Sequence, residues 1–136
     1  MSSAARVDDA AVVDASALLD FLLGTDRGRA VGSALGRFAA LHAPAHLDAE
    51  VLSALGRLHR AGTITAPQVG SRLEALTTAP IERHALTSLL AGAWRRRARF
   101  RLVDALYIEL SEMLGAVLLT TDSRLASAAG IAAITP

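Results

Sequence analysis

Apolar positions along the chain follow two periods, a short one of strands and a longer one of helices. Ala11 to Ala15 (AVVDA) is a short buried run with Asp14 near its carboxyl end, and it predicts a strand. Ser16 follows as a candidate N-cap for a helix over Ala17–Leu23, which Gly24 stops. A loop over Thr25–Gly28 leads to a second helix over Arg29–Phe38, and His42–His46 is a short extended piece containing Pro44. Leu47, Val51, Leu55 and Leu58 fall on one stripe of an amphipathic helix over Leu47–Arg60, with Glu50 beside the stripe. Thr65-Ala66-Pro67 starts the next helix, with proline at an early position where its missing N–H costs little, and the helix runs to about Thr77. Pro80–Ala85 is a loop or a short strand, and Thr87–Arg97 is a helix.

The segment Arg101–Arg124 organises the rest. Leu102, Ala105, Leu106, Leu110, Met113 and Leu114 recur at helical spacing, and Gly115 ends that helix. Ala116–Leu119 then reads as a buried strand delivering Thr120, Thr121 and Asp122 at its carboxyl end. Ser123–Ala129 predicts a short helix and Ile131–Ile134 a last strand, while residues 1–10 are polar and loose. Short apolar strands alternating with longer helices predict an α/β fold with three layers: a mainly parallel central sheet flanked by helices. A chain of 136 residues suits one domain spanning 1–136. In such sheets, ligands bind beyond the carboxyl ends of the strands, where Asp14 and Asp122 fall.

Composition narrows the chemistry. The net charge is +1 and all 14 basic residues are arginine, so no global field attracts nucleic acid. The missing lysine excludes a P-loop and Schiff-base chemistry. The chain has no cysteine, which excludes disulfides and thiolate metal sites. No apolar run approaches the roughly 20 residues of a membrane span, and the charged N-terminal stretch is not that of a signal peptide. A cytoplasmic protein is expected.

Four acids stand at telling positions: Asp14 and Asp122 at strand ends, Glu50 beside an apolar stripe, and Asp104 in the first turn of a helix. Carboxylates sharing one pocket repel, so some protonate or a cation binds. Mg²⁺ or Mn²⁺ takes oxygen ligands, lowers the pKa of bound water and offsets charge on a phosphoryl group. Ser16 and Thr120 are the hydroxyls placed to hold such carboxylates. Each acid taken alone has a structural reading: Asp104 favours a helix N-terminus, Asp122 caps the helix at Ser123, and Glu50 is a solvated flank.

Other constellations fail. His42 and His46 are separated by Pro44 and share no helical face, and His59 and His84 are lone histidines. Glu109 and Glu112 read as a solvated face, and the single Trp94 as core. Arg95, Arg96, Arg97, Arg99 and Arg101 form the one basic cluster. It is either a solvated helix end or a rim that contacts phosphates.

VVDASALLDFL, HLDAEVLSALGRL and VDALYIELSEMLGAVLLTTDSRLA together resemble the PIN-domain family, and within it the VapC-type toxins of bacterial toxin–antitoxin pairs. The resemblance covers about the whole chain and carries the family's acids in order as Asp14, Glu50, Asp104 and Asp122. It implies a metal-dependent endoribonuclease, a homodimer and inhibition by a cognate antitoxin. On placement and resemblance together, Asp14, Asp104 and Asp122 are expected to hold the metal, with Glu50 completing the catalytic set. The competing reading is a non-catalytic RNA- or protein-binding module of the same PIN-like fold.

Overall fold

Short strands that are buried on both faces need partners on both edges, and the central one finds them. The structure is a computed structural model, and it describes residues 9–128 and 133–134. Strand β1 (Ala10–Val13) lies between β2 (Ala40–Pro44) and β4 (Val117–Leu119), with β3 (Ile81–His84) beyond β2 and β5 (Ala133–Ile134) beyond β4. All four pairings are parallel, in the order β3-β2-β1-β4-β5. Val12 stands opposite His42 on one side and Leu118 on the other. Val12, Val13, Leu118 and Leu119 are fully buried, as apolar runs in a parallel sheet require.

Two helices follow β1: α1 (Ala15–Leu23) and α2 (Asp26–Leu35). Between β2 and β3 lie α3 (Leu47–Arg60) and α4 (Ala66–Thr78). After β3, a 3₁₀ turn (Thr87–Leu89), α5 (Leu90–Arg95) and α6 (Leu102–Leu114) lead to β4, and α7 (Ser123–Ala128) follows it. Strand order steps outward from β1 to β3 and then returns to the other side of β1 at β4. Right-handed crossovers therefore put α1–α4 on one face and α5–α7 on the other, which is the expected three-layer α/β fold. The reversal of strand order falls at β1/β4, the topological switch point of such sheets.

Local chemistry moves several expected boundaries. Asp14, not Ser16, caps α1, its side chain accepting from the Ala17 amide. Helix α2 begins at Asp26 and not Arg29, because Thr25 is a working N-cap that accepts from the Gly28 amide. A Cβ on Gly28 would sit 1.9 Å from the Asp20 carbonyl oxygen, so only glycine lets α1 and α2 approach this closely. Thr65 and Gln68 form a reciprocal capping box that starts α4. The apolar stripe of α3 packs as expected at Leu47, Val51 and Leu55. The C-terminal strand spans Ala133–Ile134; positions 131 and 132 lie outside the described residues, as do 1–8.

Two expectations about the helix pair α5–α6 are corrected. Trp94 is 57% exposed, on an apolar surface with Leu90 and Leu102 instead of in the core. Glu109 is no solvated flank: its side chain is 12% exposed and pairs with Arg96, which also holds Glu112. A side chain at Gly92 would collide with the Glu109 carboxylate, so the α5–α6 contact is built around this ion pair.

Candidate active site at the carboxyl edge of the sheet

Four helices begin at the carboxyl edge of the sheet, and each carries one of the four acids in its cap or first turn. Asp14 caps α1 and Glu50 lies in the first turn of α3. Asp104 lies in the first turn of α6, and Asp122 precedes α7. Helix N-termini carry partial positive charge, so this convergence offsets part of the repulsion among the acids.

Asp14 is the most constrained. It is 4% exposed. Its Oδ1 accepts from the Ser16 hydroxyl at 2.7 Å and from the Ala17 amide at 2.9 Å. Its Oδ2 accepts a short hydrogen bond from the Thr120 hydroxyl. The Asp14 amide donates to the Leu119 carbonyl at 3.1 Å, tying the end of β1 to the end of β4. Burial pushes the Asp14 carboxyl up to about 6 against the pull of its three donors, and Asp104 adds a smaller push in the same direction. Ser16 also accepts from the Thr121 amide at 3.2 Å, and the buried Thr121 hydroxyl donates to Asp20 at 3.0 Å. Thr121 was not singled out from the sequence, although its place beside Thr120 at a strand end was the available signal.

Asp122 does what its position before a helix allows. Its Oδ1 accepts from the Arg124 amide at 3.0 Å and the Leu125 amide at 3.2 Å, capping α7. Its own amide donates to the Thr120 hydroxyl at 3.0 Å, so Thr120 links Asp14 to Asp122.

Glu50 is positioned by two residues that sequence reasoning missed. The Tyr107 hydroxyl donates to Oε1 at 2.6 Å. His46 Nε2 lies 3.5 Å from the same oxygen while donating to the Val103 carbonyl at 2.9 Å. The two rings pack with centroids 4.7 Å apart. Burial, then the Glu50 bond, pushes the Tyr107 hydroxyl well above its ordinary range, so it remains a donor.

Asp104 is gripped by Arg101, with Nε 3.0 Å from Oδ2 and Nη2 3.2 Å from Oδ1. This bond holds the Arg101 guanidinium above its usual range, helped by the Asp104, Glu50 and Asp122 charges. The expected basic cluster therefore divides. Arg96 is spent on Glu109 and Glu112, Arg97 stacks on Trp94, and Arg99 donates to the Ala128 carbonyl. Arg99, Arg101 and Arg124 line an open cleft with Asp104 and Asp122, and Arg95 stays exposed outside it.

The donor set fits a hard divalent ion. All candidate ligands are carboxylate oxygens, the buried Asp14 would be relieved by a cation, and Arg101 already seats one positive charge among the acids. With Arg101 in place, the trio Asp14, Asp104 and Asp122 is gathered at one edge but not closed to ligating distance. Among the described residues, the three acid or imidazole side chains whose donor atoms lie within 4.8 Å of one another are His42, Glu82 and His84.

Comparison with known proteins agrees with this architecture. The family model for the PIN domain matches residues 11–131. Ribonuclease VapC3 of Mycobacterium tuberculosis is 61% identical over 118 residues, covering 86% of this chain and 85% of that protein. The crystal structure of Mycobacterium tuberculosis VapC20, described as a Sarcin-Ricin loop cleaving toxin, superposes with a TM-score of 0.72 at 18% identity, covering 93% of this chain and 99% of that one. FitAcB from Neisseria gonorrhoeae superposes with a TM-score of 0.64 at 13% identity, covering 91% and 96% of the two chains. At these identities the solved structures speak for the fold.

Proposed function

The chain belongs to the PIN-domain family, and from that premise we propose that it is a metal-dependent endoribonuclease toxin of the VapC type. The observation that carries this reading is the buried Asp14, tied by Thr120 to the strand that delivers Asp122, with Glu50 and Asp104 at the same edge of the sheet. A purely structural acid at a helix cap has no need of three further carboxylates at the same edge.

Asp14, Asp104 and Asp122 would hold Mg²⁺ or Mn²⁺. That ion would supply a water of lowered pKa and offset charge on the phosphodiester. The remaining work falls to the chain itself. Ser16, Ala17 and Thr120 fix the Asp14 carboxylate by donating to it. Tyr107 fixes Glu50 through Oε1, which leaves Oε2 to take a proton from the attacking water. Arg99 and Arg124, at the rim of the cleft beside Asp104 and Asp122, would contact backbone phosphates of RNA.

A cognate antitoxin and a second copy of the chain are the proposed protein partners. Leu90, Trp94 and Leu102 leave an apolar groove over Ala93 and Leu106, the kind of surface that partner contacts cover. No helix among the described residues is long and apolar enough to cross a membrane, and the proposed place of action is the cytoplasm.

The test is cleavage by purified chain, freed of any partner, on RNA and on DNA with Mg²⁺, with Mn²⁺ and with chelator. RNA cleavage that needs metal and disappears in Asp14→Asn is expected. Cleavage that survives chelation, or that is equal in Asp14→Asn, overturns the proposal.

A further inference from the structure

The edge of the sheet away from β4 carries a second constellation that the acid site does not use. We propose that His42, Glu82 and His84 bind a transition-metal ion of the zinc class, separate from the carboxylate site. His42 on β2 is the register partner of Glu82 on β3, and His84 lies two residues further along β3. Side chains alternate between faces along a strand, and register partners in a sheet share a face, so all three project from the same side. His42 Nδ1 and His84 Nε2 are 2.9 Å apart, and Glu82 Oε2 is 3.5 Å from that same His84 nitrogen.

A hydrogen bond explains one of these approaches and not both. An imidazole N–H lies in the ring plane and points at one acceptor. Here two ring nitrogens and a carboxylate oxygen converge on one spot, with all three possible ligand atoms within 4.8 Å of one another. The rings do not stack: their planes are tilted by 47°, with centroids 5.1 Å apart and the nitrogens turned toward each other. Arg83, next to Glu82 in the chain, does not neutralise it. Arg83 is turned to Asp48 and to the carbonyls of Leu76, Ala79 and Ile81.

Two imidazoles and one carboxylate are a donor set that zinc takes, leaving a fourth position for water or another ligand. Imidazole ligands favour zinc, nickel and copper over magnesium, so this site and the all-oxygen acid site select different ions. β3 is a four-residue edge strand, and an ion held across β2 and β3 fastens it to the sheet. The two sets share no residue and lie on different strands: the imidazoles and Glu82 bridge β2 and β3, whereas Asp14 ends β1 and caps α1.

The experiment is equilibrium dialysis of the full chain against Zn²⁺ in excess Mg²⁺, followed by metal analysis and thermal melting. About one zinc per chain is expected, with a rise in Tm on the order of 10 °C at a hundredfold excess over Kd. His84→Gln and Glu82→Gln should each weaken uptake at least tenfold, whereas the double variant Asp14→Asn/Asp122→Asn should keep it. Glu82 is mostly exposed, so its substitution leaves the fold intact and decides the matter if the histidine variant does not fold. No zinc uptake by the wild-type chain, uptake unchanged in Glu82→Gln, or uptake lost only in the aspartate variant overturns the site.

Discussion

Arg101 closes a two-pronged ion pair on Asp104, three residues ahead of it in the chain, and so places a guanidinium among the acids at the edge of the sheet. A divalent ion bound at the proposed site would compete with this guanidinium for the same carboxylate. The pair is solvent-screened, because the Arg101 side chain is 73% exposed, so its strength is about 1 kcal/mol at most. Arg101→Gln should therefore bind Mn²⁺ up to about fivefold more tightly by calorimetry. Weaker binding in that variant would show that Arg101 assists the metal site.

Asp14→Asn keeps the shape of the side chain and a competent N-cap, since asparagine caps helices as well as aspartate does. It removes the charge that three donors converge on. RNA cleavage should fall at least about a hundredfold while the circular dichroism spectrum stays unchanged. Retained cleavage in a folded variant would remove Asp14 from the active site.

Asp14 also governs a pH dependence. Its folded pKa of about 6 lies above the ordinary value of 3.8, so the folded state holds this proton more tightly than the unfolded one. The contribution is fully present below about pH 4 and is lost as the pH rises through 6. It amounts to on the order of 3 kcal/mol between those limits. Metal-free protein should melt higher at pH 5 than at pH 7, and the difference should shrink in Asp14→Asn. Excess Mn²⁺ should flatten or reverse the gradient at neutral pH, because it binds the ionised acids of the folded state. Equal gradients in the two proteins would separate Asp14 from the effect.

Tyr107→Phe keeps the packing against His46 and deletes the donor to Glu50. A hydrogen bond to a charged group contributes about 1.5–3 kcal/mol, reduced here because Glu50 is partly exposed. A fall in Tm of several degrees and a change in the pH profile of cleavage are expected. A stability loss with an unchanged profile would make the tyrosine purely structural.

The arginines should separate by experiment as they separate in space. Arg96→Ala strips Glu109 of its partner and should lower Tm with little effect on RNA affinity. Arg99→Ala should lower RNA affinity for all sequences and reduce the salt slope by about one unit per lost phosphate contact. An unchanged slope would return Arg99 to a structural part at the Ala128 carbonyl.

What the sequence made legible follows from range. The stripe of α3, the short apolar strands and the helix-capping acids depend on neighbours within a few residues, and they stand close to where the pattern put them. The α6 stripe, in contrast, is buried at Ala105, Leu106 and Leu110 and exposed at Leu102, Met113 and Leu114. Glu50 meets Tyr107 across 57 residues, and nothing local to either marks the meeting. Glu109 was read as solvated because its partner Arg96 belongs to another helix, and Trp94 was read as core because burial depends on what packs above it. His42 and His84 passed as unrelated histidines for the same reason: strand register, not spacing, brings them together.

Asp14 and Thr120 are 106 residues apart, and their hydrogen bond joins the first strand to the fourth. During synthesis, the chain emerges from its N-terminus, so Asp14 leaves the ribosome long before its partner exists. Folding that depends on so distant a contact is slow and waits for the last strands. A half-made chain therefore presents Asp14 without Thr120 or Asp122, and the four acids reach one edge of the sheet only after β4 has joined β1.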